Sequence, residues 1–239
     1  DGTTLMFAPV GVTVLAPLVF ANPGFDTLKD FAPIAQVATF RYAWAVAPNH
    51  PARNVAEYVA WAKAHPAQST YGTLGGGTVP HFFGVMIGRE TGIEMLHVPY
   101  KGSSPMASDL MGGQIASGVE ALANLIELHR AGRVRILAVS GADRAPGAPN
   151  LPTFREQGLP SVEALGWIAM FAPAGTPPAT IRLLNEAINR SLRAPAMRER
   201  LVAMGGEATG TTPEELAAII AADTARWRPV IKASGFTAD

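Results

Sequence analysis

Thr73-Leu74-Gly75-Gly76-Gly77-Thr78 is the densest run of groups able to hold a small anion. Glycines have no Cβ, so their amide N–H groups can approach a ligand closely. His81 follows, at the start of an amphipathic segment containing Phe82, Val85, Met86 and Ile87. A helix beginning there offers unpaired N–H donors and a partial positive charge. Gly72-x4-Gly77 echoes a P-loop, but Thr78 stands where that motif needs Lys, so the nucleotide reading fails. The plain alternative is a flexible strand–helix turn. Tyr100-Lys101-Gly102-Ser103 forms a second such turn after His97-Val98-Pro99. Ser103 reads as a helix N-cap, and Lys101 either adds charge to an anion site or is simply solvated. Two helix N-termini aimed at one place would favour a carboxylate or phosphate ligand.

Glu120 follows the apolar run Ile115–Val119, at the C-terminal end of a strand, where α/β folds place ligands. It reads either as a surface carboxylate or as a receiver for an ammonium group, which would favour an amino acid. His50, His65, His81, His97 and His129 show neither i,i+4 nor HExxH spacing, so metal binding is not expected. No G-x-S-x-G elbow and no Ser/His/Asp set is present, and nothing resembles an activated nucleophile or a paired acid and base. No catalytic residue and no cofactor are therefore assigned. Trp44 and Trp167 lie in two long apolar runs, as core aromatics or as walls of a cleft.

Short apolar runs alternating with amphipathic segments must position these groups, which is the pattern of α/β architecture. Strands are expected at Leu5–Ala8, Pro33–Ala38, Ala43–Ala47, Thr70–Thr73, Met95–Val98, Ile115–Val119, Arg135–Ser140 and Leu165–Ala172. Asn54 with Glu57, Thr176 before Pro177, and Thr212-Pro213-Glu214-Glu215 read as helix starts. Pro195 and Gly205-Gly206 punctuate the helices between. The runs Ile34–Ala47 and Val162–Ala172 are long enough to cross between two lobes, with a small-molecule cleft between them.

Composition agrees with this scheme and excludes others. The chain has 239 residues, 48% of them apolar, with 19 basic against 19 acidic side chains. Disorder is excluded, and the flat charge balance gives no basic face for nucleic acid or an anionic membrane. The absence of cysteine removes disulfide scaffolds, thiol enzymes and Cys-type zinc sites. Val10–Ala21 is too short and too broken by Gly11, Thr13 and Pro17 to span a membrane.

Several pieces occur in a specific order: Asp1-Gly2-Thr3-Thr4-Leu5, Phe31-Ala32-Pro33-Ile34, Tyr71-Gly72-Thr73 through Gly77-Thr78-x-Pro80-His81, His97-Val98-Pro99-Tyr100-Lys101-Gly102, Asp109-Leu110-x-Gly112-Gly113-Gln114, Ala131-Gly132-x-x-Arg135-x-Leu137-Ala138-Val139 and Ala172-Pro173-Ala174-Gly175-Thr176-Pro177. Together they resemble the Bug/TctC family, the extracytoplasmic solute receptors of tripartite tricarboxylate transporters. The resemblance implies a type II periplasmic binding fold. Two α/β lobes, residues 1–42 with 168–239 and residues 43–167, would be joined by two crossover strands around a ligand cleft. It further implies a monomeric, periplasmic binding protein, not an enzyme, that delivers a dicarboxylate, tricarboxylate or amino acid to membrane permease subunits. A ligand-sensing module signalling to a partner protein, or an enzyme on the same scaffold, are the rival readings.

By this resemblance, the ligand contacts fall on the loop Gly11, Val12 and Thr13, on Thr73, Gly75, Gly76, Gly77 and Thr78 with His81, and on Tyr100, Lys101, Gly102 and Ser103. Trp167 matches an aromatic near the return crossover. Against the family pattern, Thr13 stands where many members have His, and Glu120-Ala121 stands where Asp-Asn is frequent. Members also carry a first strand and a Pro/Gly-rich loop upstream, so the chain is expected to be an N-terminally incomplete receptor.

Overall fold

The computed structural model describes residues 4–238. In chain order it contains β1 (Met6–Pro9), a π-helical turn (Gly11–Leu15), α1 (Ala16–Val19), α2 (Thr27–Asp30), β2 (Phe31–Val46), α3 (Val55–Ala64), β3 (Thr70–Thr73), α4 (Val79–Thr91), β4 (Leu96–Pro99) and α5 (Ser103–Gly112). There follow β5 (Ser117–Ala121), α6 (Leu122–Arg130), β6 (Arg135–Val139), β7 (Leu165–Pro173), α7 (Pro178–Arg193), α8 (Pro195–Ala203), β8 (Gly206–Ala208) and α9 (Pro213–Ser234). The chain divides into two compact units, Asp1–Phe40 with Gly166–Asp239, and Arg41–Leu165.

In the unit Arg41–Leu165 the strand order is β4-β3-β5-β2-β6. β4, β3 and β5 run parallel, and β2 is antiparallel to both β5 and β6. Parallel neighbours need crossover connections, which α4 and α5 supply. Period-two alternation splits β2 between two packed faces. Ala43 and Ala45 join Met106, Leu110, Ile115 and Leu125 in one cluster. Trp44 instead lies against Tyr58 at a 4.5 Å ring separation and against Phe154 at 6.0 Å. Burying each such large side chain contributes roughly 1.5–3 kcal/mol.

The connection from β3 leads to β4 on one side, while that from β5 leads past β2 to β6 on the other. The C-terminal ends of β3 and β5 therefore flank a switch point in strand order, the place where α/β sheets open a crevice for ligands.

In the other unit, β1 pairs antiparallel with β7, β7 neighbours β2, and β8 pairs antiparallel with β2. Ile34, Ala35, Ala172 and Ile181 form a core patch, joined by Leu184 and Ile188 from α7. α9 starts with a complete capping box between Thr212 and Glu215 and buries Leu216, Ile220 and Trp227.

Some elements differ from the expectation. β2 is one strand of 16 residues, not two. Arg41, between the two expected strands, is accommodated within it, its guanidinium reaching the carbonyls of Ser140 and Asp143. Gly206 lies in β8 rather than in a turn, pairing with Phe40. Thr176 does not cap α7: Pro177 holds that position, and the buried Thr176 hydroxyl has no partner among the described residues. Gly102, not Ser103, is the N-cap of α5, and Ser103 is its first helical residue.

Candidate functional site

β3 ends at Thr73, which is fully buried, and the chain turns through Gly75 and Gly77 at φ of +105° and +73°. Only glycine adopts these angles at little cost, so the loop depends on them. Thr78 then caps α4, accepting from the His81 amide at 3.4 Å and donating to the Gly75 carbonyl at 3.0 Å. The same carbonyl lies 3.1 Å from the Thr73 hydroxyl. The amides of Gly75 and Gly76 meet no protein acceptor among the described residues. They remain available for an anion or for solvent.

His81 folds back on this loop. Its Nδ1 accepts the Gly77 N–H at 3.1 Å, which requires an unprotonated Nδ1. Its ring stacks on His97 from β4, with centroids 4.0 Å apart. Burial lowers both rings to about 4, and for His97 the neighbouring His81 adds to the effect. His97 Nε2 lies 2.7 Å from the Thr73 hydroxyl. Tyr71, in register with His97, donates its phenol to the His81 carbonyl at 3.1 Å.

The β4–α5 turn is tied to this loop, since the Tyr100 amide donates to the Thr73 carbonyl at 2.8 Å. The Tyr100 phenol donates to Asp109 at 2.8 Å, and burial, then the Asp109 bond and charge, push it up to about 12. Lys101 is exposed. Gly102, at φ +126°, leaves the first turn of α5 without a side-chain cap.

Glu120, near the end of β5, is 3% exposed. Its Oε2 accepts the Ser103 hydroxyl at 3.0 Å, and its Oε1 accepts the Ala121 amide at 3.0 Å and Asn124 Nδ2 at 3.2 Å. The loops after β3, β4 and β5 thus form one hydrogen-bonded group rich in backbone donors. A cavity of about 600 Å³ opens at the opposite ends of β3 and β5, lined by His50, Trp61, Thr70, Gln114 and Ala116 among others.

The remaining expected residues lie in the other unit. Gly11, Val12 and Thr13 form part of a π-helical turn rather than a loop. Val12 is exposed, whereas Thr13 is buried, its hydroxyl donating to the Pro9 carbonyl and its carbonyl accepting from Thr27. Trp167 is 2% exposed and donates its indole N–H to Asp223 at 2.7 Å. Asp223 also pairs with Arg226 at 2.8 Å.

His97 and Asn124 escape a sequence reading of the site. The signal for His97 lies in strand pairing, because parallel β3 and β4 place it beside Tyr71. Asn124 is four residues beyond Glu120, one helical turn along, but only a helix starting at Leu122 makes that spacing meaningful.

A two-unit α/β chain with this mixed sheet and donor-rich loops at a strand switch point is a periplasmic binding protein fold. The chain belongs to the tripartite tricarboxylate transporter family receptor group, which it matches over residues 1–236. It is similar to a UPF0065 protein from the tcbD-tcbE intergenic region of Pseudomonas sp. strain P51, at 32% identity over 97% of this chain and 69% of that protein. A solved structure of Rpa4515 of R. palustris with adipate shares 32% identity, covers 99% of this chain and 79% of its own, and superposes with a TM-score of 0.86. MatC of Rhodopseudomonas palustris with bound malate shares 26% identity, covers 97% and 80%, and gives a TM-score of 0.81. The family is one of transporter receptors, not enzymes. No helix among the described residues is long and apolar enough to cross a membrane.

Proposed function

We propose that this chain is a periplasmic receptor for a small carboxylate, which it passes to the permease subunits of its transporter. The observation that carries this is the loop group after β3, β4 and β5, where the Gly75 and Gly76 amides have no partner among the described residues. Backbone N–H groups can hold a carboxylate without a charged side chain, aided by the positive ends of α4 and α5. The hydroxyls of Thr73 and Thr78 direct their protons to protein acceptors, so the amides rather than the hydroxyls receive the anion. Similar proteins solved with adipate and malate support a dicarboxylate class.

Titration calorimetry of ligand-stripped protein against mono-, di- and tricarboxylates and amino acids tests the reading. Saturable heat with at least one carboxylate is expected. Absence of heat with every one would overturn it.

A further inference from the structure

Glu120 is a buried acid whose hydrogen-bond partners are all neutral donors: the Ser103 hydroxyl, the Ala121 amide and the Asn124 carboxamide. A carboxylate oxygen accepts, and the two of Glu120 take up all three of these donors. A hydroxyl has a single proton. Ser103 directs its proton to Glu120 and accepts from Asn124 Nδ2 at 3.4 Å, which leaves one lone pair to turn outward. Ser103 is also the first residue of α5 and is only partly buried, which sets an acceptor beside the N–H groups of that first turn. Glu120 itself is almost closed to solvent, so its charge acts through Ser103 rather than by direct contact.

We propose that Glu120, acting as a positioning residue through Ser103, makes the receptor select a carboxylate that carries a hydrogen-bond donor, a hydroxyl or an ammonium, over the same carboxylate without one. This rests on the reading that the loops after β3, β4 and β5 receive the ligand. An unsubstituted dicarboxylate turns a methylene toward the Ser103 lone pair and leaves it unpaired. A hydroxyl or ammonium satisfies it, and the buried negative charge strengthens that bond. The same charge opposes a further carboxylate at that spot.

The test compares matched ligands by calorimetry on the full chain: succinate with malate and aspartate, glutarate with 2-hydroxyglutarate and glutamate, adipate with 2-aminoadipate. In the best-bound set, the substituted member is expected to bind about tenfold tighter, the worth of one good hydrogen bond. Glu120→Gln allows the carboxamide to donate to Ser103, which frees the serine proton to turn outward. Ser103→Ala should bring the matched ligands to within about threefold, and Glu120→Gln should do so for the amino member, because a ligand hydroxyl can still accept the freed serine proton. A general folding defect would weaken both members of a pair alike and leave their ratio unchanged. Preference for the amino member alone assigns the donor as ammonium, and preference for both substituted members assigns it as either. Equal affinities in the native protein, or a ratio unmoved in both variants, would overturn the inference while leaving the receptor reading intact. No heat with any carboxylate would overturn that reading and the inference with it.

Discussion

The imidazole of His81 lies on that of His97, ring centroids 4.0 Å apart and planes 20° from parallel. The parallel register of β3 and β4 brings His97 beside Tyr71, and the first turn of α4 returns His81 to the same place. The pair braces the glycine loop from beneath: His81 holds the Gly77 amide, and His97 meets the Thr73 hydroxyl.

This stack predicts a loss of stability in mild acid. Burial lowers both rings from 6.5 to about 4 in the folded chain. Between those values the unfolded chain binds more protons than the folded one, so stability rises with pH. The contribution of the pair is complete above pH 6.5 and is lost as the pH falls toward about 4. Thermal midpoints measured across that window should fall, and His97→Gln, which removes one titrating ring, should flatten the curve. An identical pH slope in the variant would contradict the role given to the stack.

A second prediction concerns the packing behind the loop. A Cβ on Gly84 would lie 2.1 Å from the Tyr71 ring, so Gly84→Ala must displace that ring or α4. Either shift disturbs the bond from Tyr71 to the His81 carbonyl. The cost should be about 1–3 kcal/mol in urea unfolding. Gly147→Ala, where a Cβ meets nothing within 4 Å, should stay within about 0.5 kcal/mol of the native protein. Equal effects of the two would remove steric closeness as the cause.

Much of this framework was legible in the residues. The pairs Asn54 with Glu57 and Thr212 with Glu215 begin helices as expected: Asn54 accepts the Glu57 amide and donates its carboxamide to the Glu57 carboxylate, while Thr212 and Glu215 exchange backbone bonds. β8 was not legible, because Gly206-Glu207-Ala208 has no strand pattern and is held by its pairing with Ala38–Phe40. Ser103 has the chemistry of a cap, yet Glu120, distant in sequence, takes its hydroxyl. The turn of Gly11–Leu15 and the seat of Thr13 likewise depend on Thr27, whose hydroxyl donates to the Thr13 carbonyl at 2.6 Å. The glycine loop was visible as a motif, whereas its bracing by stacked histidines required the sheet register.

Thr78 gives a third prediction, in which stability and affinity separate. Its hydroxyl caps α4 and donates to the Gly75 carbonyl. Thr78→Val removes both bonds and should destabilise the chain by about 1 kcal/mol. Thr73 still reaches that carbonyl, so the loop keeps one anchor and carboxylate affinity should fall by less than the stability. Thr78→Ser should restore the native urea midpoint. An affinity loss larger than the stability loss would instead make the hydroxyl a direct ligand contact.

The fourth prediction tests whether Trp167 anchors α9. Its indole donates to Asp223 at 2.7 Å, and Asp223 is 6% exposed with Arg226 as its other partner. Burial raises the Asp223 carboxyl, while the indole bond and the Arg226 charge oppose that rise. Trp167→Phe keeps most of the apolar packing but removes the donor, which should cost about 1.5–3 kcal/mol when the carboxylate is ionised. Without the indole the folded-state pKa moves further up, so the ionised form is penalised most. The destabilisation measured by guanidinium unfolding should therefore be larger at neutral pH than in acid, where the carboxyl is protonated in both proteins. Asp223→Asn, which keeps an acceptor for the indole, should show no such pH dependence in its partnership with Trp167. A Trp167→Phe penalty that is the same at both pH values would assign its cost to lost packing alone.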